Sequence, residues 1–155
     1  MARPLFILGF ESSSVDRVTG LPSYFHVFDS MDITLKPMTP ADGPQRTHSD
    51  ILKVSLAAAW MRDDLDLDTD VFEHQLRIFS TENEVRVVSE SEFEFTANSH
   101  RFDVQIGLGT LFNDSTKSGI VRVESRIRKR GDELWISQEY PIRVNFTQAA
   151  IDNGK

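Results

Sequence analysis

Acidic side chains at every second position are the clearest candidate for chemistry in this sequence. Asp64, Asp66, Asp68 and Asp70 alternate with other residues, and Asp63 lies beside the first of them. In an extended segment the four alternating carboxylates would project to one side, about 6.6–7 Å apart. Carboxylates this close repel one another unless water or a cation neutralises them, and Ca²⁺ prefers oxygen ligands. The spacing predicts a calcium site formed by these four side chains.

A solvated loop that keeps the chain soluble and protects strand edges is the alternative to a calcium site. The segment is not an EF-hand, because Thr69 stands where that motif needs Gly and Gln75 where it needs its bidentate Glu. Calcium sites of C2-type sandwiches also take carboxylates from a second loop, where Asp114 or Glu82 could serve. A calcium-dependent ligand or carbohydrate binder is therefore one functional hypothesis.

The histidines could supply a general base for catalysis. They are His26, His48, His74 and His100. No pair has the i, i+4 helical spacing of a zinc protease, and no Gly-x-Ser-x-Gly elbow surrounds a serine. A small hydrolase would need His74 or His100 beside a nucleophile in a pocket. Ordinary buried or surface imidazoles are the favoured interpretation, so the sequence leans towards a non-enzymatic protein.

Charged side chains also alternate along two predicted strands. The basic set is Arg122, Arg126, Arg128, Lys129 and Arg130, and the acidic set is Glu90, Glu92 and Glu94. The basic set could meet phosphate or an acidic partner, but opposite the glutamates it would form ion pairs of roughly a few tenths of a kcal/mol each. Ion pairing is favoured, because a formal net charge of -7 gives no reason to expect a nucleic-acid partner.

Strands must position most of these residues, because apolar and polar residues alternate with a period of two along most of the chain, whereas residues 62–70 and His48 are expected in loops. The predicted strands cover residues 5–10, 23–28, 52–60, 72–79, 85–95, 100–106, 119–128 and 140–146. A helix is the alternative for 52–60, since Leu-Ala-Ala-Ala is good helix sequence. The last third, 119–146, has the pattern of a β-meander with one buried face. Turns are expected at 16–20 and 81–84, and a Pro-rich crossover at 36–45.

The length of 155 residues suits one domain, which we place over residues 1–147 with a short tail at 148–155. Eight or nine strands at such regular spacing indicate an all-β, antiparallel β-sandwich, immunoglobulin-like or C2-like.

The absence of Cys removes disulfides, thiol catalysis and thiolate metal sites. The apolar run at residues 5–8 is too short for a signal peptide, and no stretch approaches the ~20 apolar residues of a membrane helix. We therefore expect a soluble, cytoplasmic protein with no nucleic-acid or membrane partner.

Several segments carry a resemblance to known proteins. They are Phe6–Glu11, Asp16 to Gly20, Phe25 to Asp29, Gly119–Val123, Gly131 and Tyr140–Val144. In this pattern the chain resembles a family of small uncharacterised bacterial β-sandwich proteins, a domain of unknown function. The resemblance implies an immunoglobulin-like or C2-like sandwich, with no known activity and no functional residues to transfer. The acidic segment departs from the family pattern.

The leading functional hypothesis is a non-enzymatic binding or accessory module that works through its loops or an exposed sheet edge. Two observations motivate this hypothesis: the alternating strand pattern is strong, and the sequence contains no catalytic motif. The expected partner is a protein, and exposed sheet edges are also compatible with a homodimer.

Overall fold

Strands form the regular structure of the chain, as the alternation predicted. The computed structural model describes residues 2–15, 22–35, 53–107, 111 and 117–148. Within these residues the strands are β1 Arg3–Val15, β2 Pro22–Phe28, β3 Ser30–Leu35, β4 Lys53–Met61, β5 Val71–Phe79, β6 Val85–Glu94, β7 Ser99–Gly107, β8 Gly119–Lys129 and β9 Ile136–Gln148. The predicted turn at 16–20, the crossover at 36–45 and the tail beyond Gln148 lie outside the described residues.

Two sheets pack against each other. The first has the strand order β2-β1-β4-β7, and the second has the order β3-β9-β8-β5-β6. All neighbouring pairs are antiparallel except β3 and β9, which are parallel. The chain crosses from the first sheet to the second at Asp29, whose carbonyl accepts a hydrogen bond from the Arg143 N–H at 2.8 Å. The predicted all-β sandwich is confirmed, with one parallel pair added to its antiparallel pattern.

The core lies between the sheets in two clusters. The first cluster is aliphatic and consists of Val54, Leu56, Leu76, Ile78, Ile106, Leu111, Val121, Val123, Ile142 and Val144. The second is mainly aromatic and consists of Ala2, Trp60, Phe72, Phe93, Phe95 and Ile127. Burial of a large apolar side chain contributes roughly 1.5–3 kcal/mol, so these residues hold the two sheets together. In the described part of the chain, no helix is long and apolar enough to cross a membrane.

Strand β4 confirms the strand prediction for 52–60 but is buried on both faces. Ala57 and Ala59, which alternate with Ala58 and Trp60 and so lie on the opposite face, are themselves buried. Their cross-strand neighbours include Leu8, Phe6 and Arg101, which have much larger side chains. These larger neighbours cover the methyl groups of the two alanines. The alanines are therefore buried without a second layer of structure above them.

The predicted meander is a two-stranded hairpin of β8 and β9. Residues 133–137 do not form a separate strand, because Ile136 pairs with Ile127 and β9 continues from there to Gln148. Gly131 in the turn has φ +93°, a left-handed conformation that glycine adopts at little cost. The expected turn at 81–84 is present, with Asn83 at φ 62°.

Candidate functional site

Two connecting segments lie side by side at one end of the sandwich. They are the β4–β5 loop, residues 62–70, and the β8–β9 turn, residues 130–135. The Arg130 N–H donates a hydrogen bond to the Val71 carbonyl at 2.8 Å, and the Lys129 ammonium lies 2.7 Å from a carboxylate oxygen of Asp70. We call these two segments together the leucine end, for the side chains described below.

Aspartates fix the backbone of the β4–β5 loop. The Asp66 N–H donates to the Asp63 carbonyl at 3.0 Å, and the Asp70 N–H donates to the Leu67 carbonyl at 3.1 Å, which closes two successive turns. The Asp63 carboxylate accepts from the Leu65 N–H at 3.3 Å, and the Asp70 carboxylate accepts from the Leu67 N–H at 2.8 Å. Asp side chains that bond nearby backbone N–H groups stabilise such turns. The loop therefore has a defined conformation.

The charge state of these aspartates follows from their partners. The hydrogen bond from the Leu65 N–H holds the pKa of Asp63 below its usual value. The hydrogen bond from Lys129 lowers the pKa of Asp70, and the Leu67 N–H lowers it further. Both carboxylates are consequently ionised at neutral pH.

Three leucines project from this end into solvent. Leu65 is 85% exposed, Leu67 65% and Leu134 74%, the highest values among the exposed large hydrophobic residues of the described chain. Scattered exposed apolar residues are normal, but these three lie on two adjacent segments that are joined by a hydrogen bond. Sequence reasoning missed them, although the alternation of leucine with aspartate through residues 64–68 was a usable signal.

The structure places the four aspartates of the predicted calcium site in a loop that turns twice, so they do not align as in an extended segment. Asp64 is exposed, Asp66 accepts from the Asp63 N–H at 3.2 Å, Asp68 pairs with Arg62, and Asp70 pairs with Lys129. Among the described residues, no group of three or more His, Asp or Glu side chains is placed to hold a metal ion. Of the second-loop candidates, Glu82 pairs with Lys117 and Asp114 lies outside the described residues. Calcium binding stays a prediction from the sequence.

A serine and a histidine do lie together, but inside the core. His74 Nε2 is 3.0 Å from Ser125 Oγ, which also accepts a hydrogen bond from Trp60 Nε1 at 3.0 Å. We call these three residues the buried triad. His74 is 1% exposed and Ser125 0%, so a substrate has no access to the hydroxyl in this arrangement. Among the described residues, His74 Nδ1, where a hydrolytic triad places its acid, has no hydrogen-bond partner. These contacts favour a structural role.

Burial also favours the neutral form of His74 and His100. The ring of His74 stacks on Phe102 at a centroid distance of 3.6 Å, and His100 lies 4.6 Å from the same ring. Burial, with a smaller contribution from His100, lowers the pKa of His74 to about 4. Burial also lowers the pKa of His100. His48 and the side chain of His26 lie outside the described residues.

The basic set on β8 and in the turn after it is paired, although mostly not with the predicted glutamates. Strand β5 separates β8 from β6, so the cross-strand partners come chiefly from β5 and β9. The contacts are Arg122 with Glu139 at 3.4 Å, Arg126 with Gln75 at 2.9 Å, Arg128 with Glu73 at 2.5 Å, Lys129 with Asp70 at 2.7 Å and Arg130 with Glu92 at 3.5 Å. Ion pairing itself is as expected. The predicted pairing with β6 holds for Arg130 alone, while Glu90 is reached through the Gln75 amide at 2.6 Å.

A shallow pocket of about 260 Å³ lies on this charged face beside the leucine end. It is lined by Glu73, His74, Gln75, Glu90, Ser91, Glu92 and Trp135. His74 is 1% exposed, so it presents almost none of its surface to the pocket. The guanidinium groups of Arg126 and Arg128 lie 4.3 and 4.6 Å from the Trp135 ring centre. Polar side chains around the pocket contact one another, and the two guanidinium groups pack against Trp135 in the turn that carries Leu134.

A scan against protein-family models found no match, and a search of curated proteins found no similar sequence.

Proposed function

We propose that the chain is a non-enzymatic, immunoglobulin-like binding module that binds a partner protein through its leucine end. The observation that carries this proposal is the set of three exposed leucines at 65, 67 and 134 on adjacent, hydrogen-bonded segments. Apolar side chains at the centre of an interface supply much of its binding energy. A loop that is already ordered loses little conformational entropy when it binds.

The strand order supports the immunoglobulin-like assignment. Strands β1-β4-β7 and β9-β8-β5-β6 follow the orders A-B-E and G-F-C-C′ of immunoglobulin domains. On this assignment, the β4–β5 loop corresponds to the B–C loop and the β8–β9 turn to the F–G loop. In variable domains these loops belong to the antigen-binding end. The analogy concerns position alone, and the leucines supply the chemistry.

The charge of the leucine end indicates what kind of partner fits it. Its acidic residues are Asp63, Asp64, Asp66, Asp68, Asp70, Asp132 and Glu133. Its two basic residues, Arg62 and Arg130, are paired with Asp68 and Glu92. We infer a partner surface with an apolar depression bordered by Lys or Arg. Such complementarity accelerates association and weakens with salt.

The test compares partner capture by three forms of the protein. The wild type is set against a variant with Leu65→Ser, Leu67→Ser and Leu134→Ser, and against a control variant with Leu5→Ser and Val27→Ser. The control residues are also exposed but lie on β1 and β2. We expect the wild type and the control to retain one salt-sensitive partner, whose affinity for the triple variant falls at least tenfold, about 1.4 kcal/mol. A folded triple variant that retains this partner at full affinity would overturn the proposal.

Other parts of the sequence-based interpretation stay predictions. The resemblance to a bacterial sandwich family, bacterial origin and a cytoplasmic location are among them. So is the calcium-dependent ligand or carbohydrate binder, which no contact at the leucine end favours over protein binding.

A further inference from the structure

Strand β7 is an edge strand with a regular backbone. Its nine residues pair with β4 from Ser99 to Gly107 without a register shift, and no other described strand pairs with it. Strand β6, an edge of the second sheet, has a register shift opposite Leu76 and Arg77. A bulge of that kind hinders pairing with a further strand, whereas a regular edge offers its unpaired backbone groups as a template.

Side chains on the inner face of β7 are incompletely covered. His100, Phe102 and Val104 are in register with Trp60, Ala58 and Leu56 of β4, all of which are buried. The three β7 residues are themselves only half-buried. A further strand along β7 would cover their open flank.

Charges on the outer face of β7 are self-complementary. Arg101 and Asp103 form an ion pair at 2.7 Å and are both partly exposed. In an antiparallel pair with a second copy centred on Phe102, Arg101 of each copy would face Asp103 of the other. Centring the pair on Arg101 or on Asp103 would place like charges opposite each other, which is destabilising.

We propose that a second copy of this chain pairs antiparallel along β7, in the register centred on Phe102. The four-stranded sheets of the two copies would then join into one continuous sheet of eight strands. Because the two β7 strands run in opposite directions, the two leucine ends would point away from each other and could hold two partner molecules. A contact through one strand is small, so the dimer dissociates on dilution.

Cysteine cross-linking tests the register, because the chain has no Cys of its own. The proposed pairing places Ser99 opposite Gln105 of the second copy, both on exposed positions of β7. Cα atoms across an antiparallel pair are about 4.5–5.5 Å apart, within the range of a disulfide. We expect a Ser99→Cys preparation mixed with a Gln105→Cys preparation to form a mixed disulfide dimer under mild oxidation. Either preparation alone should form at least tenfold less. Equal cross-linking in all three samples, or none at millimolar protein, would overturn the register.

Sedimentation velocity of charge variants tests the pairing without cysteines. We expect Arg101→Asp to weaken dimerisation at least fivefold, because the introduced carboxylate of each copy would face Asp103 of the other. Arg101→Asp combined with Asp103→Arg should restore it. A wild type that stays monomeric at millimolar concentration, or a dimer whose affinity Arg101→Asp leaves unchanged, would contradict the proposal.

Discussion

At the scale of single residues, the buried triad is the most distinctive feature of the core. Trp60 on β4 belongs to the first sheet, while His74 on β5 and Ser125 on β8 belong to the second, so their hydrogen bonds cross the sandwich. On the proposed assignment, β4 and β8 are the strands that a disulfide joins in antibody domains. This chain has no Cys, and a hydrogen bond links these two strands instead.

Acid is expected to destabilise the fold through His74. Its pKa of about 4 in the folded state lies below the ordinary value of 6.5, so between these values the unfolded chain binds a proton that the folded chain does not. Stability should therefore fall by about 2–3 kcal/mol as pH is lowered from 7 to 4.5. The lowered pKa of His100 acts in the same direction. Asp63 and Asp70 titrate below this window, because their pKa values are lowered from 3.8.

Urea unfolding at pH 7, 6, 5 and 4.5 measures this dependence. His74→Gln, which keeps a polar side chain but does not titrate, should flatten the curve in this range. Equal stability of the wild type at pH 7 and pH 4.5 would show that His74 is not buried as described.

Removal of the shared hydroxyl is expected to be costly. Ser125→Ala leaves Trp60 Nε1 and His74 Nε2 in the core without their common partner. Each unsatisfied buried group costs about 1–3 kcal/mol, so we expect a loss of at least about 2 kcal/mol. Ser91→Ala, at an exposed position on β6, is the matched control and should change the unfolding free energy by less than about 0.5 kcal/mol. Equal effects of the two changes in urea unfolding would refute the role of the triad.

Sequence patterning placed two members of the triad correctly but could not bring the three together. In the alternating pattern His74 shares a face with Leu76 and Ile78, and Ser125 shares a face with Val123, and all of these residues are buried. Whether Trp60 meets Ser125 depends on how the two sheets are aligned. The alternation within a single strand carries no information about that alignment.

At the scale of elements, the β4–β5 loop shows how aspartates can serve structure. Asp63, Asp66 and Asp70 accept hydrogen bonds from backbone N–H groups of the same loop. The calcium hypothesis assumed an extended segment, in which alternate side chains share one side. Turns have no such period, and in this loop the hydrogen bonds of three aspartates hold the backbone conformation.

A calcium melt decides between these accounts. Since most of the aspartates already have partners within the loop, we expect the same melting temperature in EDTA and in millimolar CaCl₂. Calcium at 100 times its dissociation constant would instead add about 2.7 kcal/mol, or several degrees. An upward shift that Asp66→Asn with Asp68→Asn abolishes would establish the calcium site.

Alternation predicted every described strand except β3, Ser30–Leu35, and it was clearest in strands such as β5 and β8 that bury one face. It did not predict that β9 begins at Ile136 or that β6 has a register shift, since both depend on pairing with a neighbour. For the same reason it placed the partners of the β8 arginines on β6, whereas β5 lies between these strands.

At the scale of the whole molecule, the order of the strands brings the leucines together. Leu65 and Leu67 are far from Leu134 in sequence, and they share one end because β5 pairs with β8. The sequence showed that a sandwich forms, but it did not show which loops meet. The proposed dimer would use a different surface, β7, and leave both leucine ends open.

The most direct test of the central claim is NMR mapping of the binding surface. Backbone amide spectra of the wild type would be recorded alone and with its captured partner. We predict that the largest shifts fall within residues 62–70 and 130–135, with smaller changes in the adjoining ends of β5 and β9. Shifts concentrated on β2, β3 or β6, with the leucine end unchanged, would contradict the account.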